Sequence, residues 1–215
     1  MRFRIDLKIL IFLVIFYFTN QLTIYLWTML FCFIHEIGHL IMGLTMGLKP
    51  EKIEMTPFGF FLEFNPITDK SEKEILRINT LVAIAGPITN LIIIFSILFL
   101  NISFIGRDLA VYSNLIIFAF NLIPIYPLDG GRVLKYILDW LYNDIRADNL
   151  INKISNFYII VLTMIGSIAI YYLKNISVLI IIGYLWYLVI KENKKVLIKR
   201  RTLELTKDII LSQKH

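Results

Sequence analysis

The chain has 215 residues, 58% of them hydrophobic, with a mean hydropathy of +0.72 and only 18% charged. That balance excludes an ordinary soluble domain, in which apolar residues make up closer to half and charged ones nearer a quarter. The net charge of +6 does not call for nucleic acid, because Lys and Arg gather on the cytoplasmic side of membrane proteins.

Taken in chain order, the basic start "MRFRIDLK" leads into an apolar run with no small-residue cleavage site behind it, which reads as an uncleaved first span, Ile9–Phe18. A second follows at Leu22–Leu48. The segment Lys52–Phe64 then places a Pro-Phe-Gly turn among β-prone aromatics, which fits either a small re-entrant β-hairpin or an interfacial loop. Further spans are expected at Ile78–Asn101, Leu109–Ile123, Ile154–Leu173 and Ile176–Ile190, with Lys174 and Lys191 snorkelling at the ends of the last. The expected fold is an all-α polytopic membrane protein of about six transmembrane helices. It comprises one domain over residues 1–190 and a basic tail, 191–215, lying near anionic lipid. With six spans, 20 of the 22 basic residues fall on the N-terminal side of the bilayer and only Arg107 and Lys174 on the other. That split places both termini in the cytoplasm.

Polar residues inside such spans are costly and mark function. "FCFIHEIGHLIMG", Phe31–Gly43, carries His35, Glu36 and His39 as H-E-x-x-H. Residues four apart share a helix face, so both imidazoles can meet one metal ion, with Glu36 beside them to take a proton from water. Cys32, one turn earlier and the sole cysteine, reads as a small buried residue. Catalytic zinc takes three protein ligands and keeps a fourth position open. The remaining histidine, His215, ends the chain, so the third ligand is expected to be a carboxylate at the same depth. Asp129, in "NLIPIYPLDGGR" (Asn121–Arg132), is the candidate. Pro124 and Pro127 break the helix there, Gly130 and Gly131 allow a turn, and the run ends in the cytoplasmic half of the bilayer. A helix N-cap is the competing role for Asp129.

With "HEIGH", "AGPITN" (Ala85–Asn90) and "NLIPIYPLDGGR" in this order, the chain resembles the site-2 intramembrane zinc metalloproteases. Within that family it looks most like the stage IV sporulation protein FB type. The resemblance implies one zinc ion held by His35, His39 and Asp129, and Glu36 as general base and acid. It also implies hydrolysis of a peptide bond in a membrane-anchored protein substrate. For the sporulation branch it implies a tethered pro-sigma factor and inhibitory membrane partner proteins. Members of that branch carry a nucleotide-sensing domain after the last span, where only the tail is expected here. Asn90 can face the site to contact substrate or water, or serve packing; Asn121 can bind substrate or satisfy the broken helix. Phe58 and Gly59 lie on the turn of an element whose strand edge can pair with an extended substrate. Two other functions use the same polar residues: a metal-ion carrier, and an inactive membrane scaffold.

Overall fold

In a computed structural model, residues 2–100, 106–142, 144–173 and 177–212 are described. The expected limits Asn101 and Ile176, together with Lys174 and His215, lie outside them. The elements run β1 (Arg2–Ile5), α1 (Lys8–Phe18), α2 (Leu22–Thr45), β2 (Pro50–Thr56), β3 (Gly59–Phe64), α3 (Glu72–Phe99), α4 (Arg107–Asn121), α5 (Asp129–Leu141), α6 (Asp144–Leu173) and α7 (Ser177–Ser212). They form two compact units, Met1–Leu122 and Ile123–His215.

Among the described residues, three helices are long and apolar enough to cross a bilayer: α2, α3 and Asp144–Tyr172 of α6. Apolar α1 is only 11 residues long, about 16 Å at 1.5 Å per residue, and α4, at 15 residues, covers about 22 Å. Length and composition thus support a membrane protein, with three candidate spans among the described residues where six are expected. The helices also start and stop differently from the apolar runs. α3 begins six residues before Ile78 because Ser71 caps it, its hydroxyl accepting from the Glu74 amide at 3.4 Å, with Glu72 and Glu74 favourably placed in the first turn. α6 begins ten residues before Ile154 for a similar reason: its first turns are amphipathic rather than apolar. α7 passes Ile190 without a break, so residues 191–212 continue the last helix instead of forming a separate one.

The first unit is not purely helical. β2 and β3 form the expected hairpin, with buried Ile53 opposite buried Leu62 and Thr56 opposite Gly59. β1 adds a third strand, parallel to β2, with Arg2 opposite Lys52 and Ile5 opposite Met55. Its alternation, Arg-Phe-Arg-Ile, is the period of a strand, which a reading of the basic residues as a membrane flank conceals. Gly59, at φ +132°, makes the turn that a side chain would strain. The tip is tied down: Tyr25 donates its hydroxyl to the Pro57 carbonyl at 3.1 Å, and Phe58 meets Phe12 edge-on at 5.0 Å. Behind the hairpin, α2 packs on both α3 and α4 around Phe31, Ile97, Ala110 and Ile117. Large side chains such as Ile92, Phe95 and Phe99 stay exposed on α3, as expected of a helix that meets lipid.

In the second unit α5 packs on α6 and α6 on α7. Leu138, Ala147 and Ile151 make its core.

Candidate metal centre

α2 brings His35 and His39 to one face, one turn apart and both buried. Gly38, between them, would weaken an isolated helix. Here it lets α3 come close: a β-carbon on it would stand 3.0 Å from both the Ala85 carbonyl oxygen and Thr89 Cβ. With the backbones nearly touching, polar atoms of α3 reach the rings. His39 Nδ1 lies 2.7 Å from the Val82 carbonyl. A carbonyl only accepts, so that nitrogen carries the ring proton and Nε2 keeps a lone pair. His35 Nδ1 lies 2.5 Å from Oδ1 of Asn90, whose oxygen selects the same tautomer. The Nε2 atoms then face each other at 3.1 Å, on rings 4.8 Å apart and nearly perpendicular.

Two lone pairs at that distance repel unless a cation lies between them. A point at zinc's usual 2.0–2.1 Å from both nitrogens exists whenever they are within about 4.1 Å of each other. Gly86 leaves room for it, because a β-carbon there would come 2.6 Å from His35 Nε2 and 2.5 Å from His39 Cε1. Half-buried Glu36 completes the group: His35, Glu36 and His39 each offer a ligand atom within 4.8 Å of the others. Borderline nitrogen and oxygen donors of this kind suit zinc.

Asn90 is expected from sequence to reach substrate or water, or to serve packing. It is instead fully enclosed, with the oxygen of its amide on His35 and its Nδ2 donating to Asn114 Oδ1 at 2.9 Å. Asn121, the last residue of α4, donates Nδ2 to the Ile117 carbonyl at 3.1 Å, so its amide serves the helix end. Gly59 sits over Cys32, whose Cβ and Sγ would lie 3.6 Å from a β-carbon added there. Cys32 and Glu36 are four apart on α2 and share a face, so the hairpin tip lies along the same side of the helix as Glu36.

In the second unit, Asp129 is the first residue of α5, not its N-cap; extended Leu128 holds that position. The carboxylate is buried, with Arg132 Nη1 at 3.7 Å. The preceding loop is built tightly. Tyr126–Pro127 is a cis peptide, the Tyr126 amide donates to Ser155 Oγ at 3.0 Å, and Gly131 lies against the Ile125–Tyr126 backbone, where no side chain fits. A second group of acidic residues, Asp139, Asp144 and Asp148, is matched by Lys135 and Lys199 at 2.6–3.0 Å.

Two contributors escape a motif reading. Asn114 is fully buried on α4, with Nδ2 donating to the Ala110 carbonyl at 2.8 Å. As an amide in an apolar helix it gives the same signal that marks Asn90. The Val82 carbonyl gives none, since no residue type encodes it. Pro87, four residues after Ala83 in α3, has no amide hydrogen to donate to the Ala83 carbonyl.

Residues 107–166 match the model of peptidase family M50. The chain is 29% identical over 171 residues to a zinc metalloprotease of Methanocaldococcus jannaschii, covering 76% of this chain and 47% of that protein. It is 31% identical over 120 residues to the stage IV sporulation protein FB of Bacillus subtilis, covering 54% of this chain and 40% of that protein. The chain thus spans about half the length of these curated relatives, or less. Its fold is that of the site-2 protease from M. jannaschii, with a TM-score of 0.67 at 23% identity over 87% of this chain and 88% of the other.

Proposed function

We propose that the chain is an intramembrane zinc metalloendopeptidase, a reading supported by the match of residues 107–166 to peptidase family M50 and by a fold like that of a site-2 protease. The observation that carries this is the pair of Nε2 atoms 3.1 Å apart on two buried histidines of α2, with Glu36 beside them and Gly86 leaving the space clear. On this reading His35, His39 and Asp129 would hold one zinc ion, which would supply Lewis acidity to the scissile carbonyl and the attacking water. Val82 and Asn90 hold the two rings in the ligating tautomer. Glu36 accepts a proton from the water at its carboxylate as the water oxygen joins the carbonyl carbon. It returns that proton to the leaving amine nitrogen as the C–N bond breaks. The peptide must be unwound first, since a helical amide is shielded by its own hydrogen bonds. β3 lies at the edge of the sheet, with Phe58 in the turn before it and Gly59 its first residue; a substrate drawn out as an added strand is received there.

The substrate class is a membrane-anchored protein, and the sporulation likeness supports a tethered pro-sigma factor, with inhibitory membrane proteins as partners. Six spans, both termini in the cytoplasm and a site in the cytoplasmic half of the bilayer agree with the distribution of Lys and Arg. Co-expression with candidate single-span precursors tests the whole reading. A shortened product made by the parent chain and not by Glu36→Gln supports it, and products identical in the two chains refute it.

A further inference from the structure

A line of buried amides runs from the candidate centre into α4. Its polarity is set at the far end, where the Ala110 carbonyl can only accept. Asn114 must therefore turn Nδ2 toward it, at 2.8 Å, and Oδ1 toward Asn90. That oxygen can only accept in turn, so Asn90 presents Nδ2 to it at 2.9 Å and Oδ1 to His35 Nδ1 at 2.5 Å. Both asparagines are fully buried, so no water competes for either end.

We propose that Asn114 is a positioning residue that acts through Asn90 to hold the His35 ring proton on Nδ1, leaving Nε2 free to ligate. The need for it is physical. The oxygen and nitrogen of an amide are almost the same size, so nothing steric stops the Asn90 side chain from turning over. Reversed, its NH2 would face Nδ1 and stabilise the tautomer protonated at Nε2, which cannot bind a cation. Asn114 makes the reversed state costly, because Asn90 Oδ1 would then face Asn114 Oδ1, or Asn114 Oδ1 the Ala110 carbonyl, two acceptors opposed in a dry interior. His39 needs no such device, since the Val82 carbonyl cannot be inverted. The inference rests on the reading of this site as a metal centre, yet it is measurable without metal or substrate.

The test uses full-length protein with 15N-labelled histidine, metal-free, at about pH 8, above the ordinary imidazole range. In the parent chain both His35 and His39 should carry the proton on Nδ1. Asn114→Leu should move His35 toward the Nε2-protonated form and leave His39 as it was. Zinc binding should weaken about 10–100-fold, the usual effect of losing an outer partner. In an Asn90→Asp background the acceptor is the same either way round, so Asn114→Leu should then change zinc binding less than about threefold. An unaltered His35 ring in Asn114→Leu, or equal zinc loss in both backgrounds, overturns the proposal. If that variant does not accumulate, the parent decides alone: His35 protonated on Nε2 overturns the idea and on Nδ1 upholds it. Loss of protease activity with unaltered tautomers would count against the relay while leaving the proposed function intact.

Discussion

Gly86 on α3 stands directly against His35 on α2, so that a β-carbon on the glycine would lie 2.6 Å from the imidazole Nε2. The absence of a side chain there is what keeps the space between the two ring nitrogens open. Both rings are pinned at Nδ1 and neither can retreat without breaking a buried hydrogen bond. Gly86→Ala should therefore abolish zinc retention while costing about 1–3 kcal/mol of stability through overpacking. Metal content and a thermal melt in detergent check this, and a variant retaining a full equivalent of zinc would show that the space lies elsewhere.

In the proposed mechanism Glu36 moves protons rather than holding metal. Glu36→Gln keeps the shape and the neutral contacts but cannot accept a proton. It should lower turnover by at least about 10²-fold, within the usual range for a general base, with zinc content unchanged. A Glu36→Gln chain that loses its zinc would mean that the carboxylate is a ligand.

Much of this site is legible in the sequence because H-E-x-x-H depends only on helical periodicity, which fixes the relation of His35 to His39 wherever the helix lies. What holds the rings is less legible. Asn90 and Asn114 are 24 positions apart and meet only when α3 packs on α4, and Val82 contributes through its backbone. The hairpin follows from the turn at Pro57–Gly59, but β1 depends on a partner some 50 residues away. The ends of the helices are less legible for a related reason. Hydropathy reports where lipid can be met, while capping by Ser71 and amphipathic first turns decide where α3 and α6 begin.

Asp129 tests the third ligand. Its carboxylate is buried at the start of α5, and Arg132 is its recorded ion-pair neighbour at 3.7 Å. Asp129→Asn removes the charge and keeps the volume. On the proposed coordination, this change should weaken zinc binding by more than the roughly 10–100-fold typical of an outer partner. Equilibrium titration against a chelator measures it, and an affinity equal to the parent's would assign Asp129 to the helix start alone.

The remaining charges of the second unit predict stability rather than chemistry. Asp148 accepts from Lys135 and from Lys199, each at 2.8 Å, and joins α5, α6 and α7 through one nearly enclosed carboxylate. Removing its charge leaves Lys135 with Asp139 and the partly exposed Lys199 with Asp144, so Asp148→Asn should destabilise this unit by about 1–2 kcal/mol, after allowance for solvent screening at Lys199. The pH behaviour can be signed from Lys135. Burial pulls its ammonium down, but hydrogen bonds to Asp148 and Asp139 outweigh that and hold it above the ordinary lysine value. A raised base contributes its full stability below the unfolded value, about 10.4, and loses it as pH rises through the higher folded one. The gap in melting temperature between the parent and Lys135→Met should stay constant from about pH 7 to 9.5 and narrow only above about 10.4. A gap that closes near neutrality would instead place the titration on one of the carboxylates.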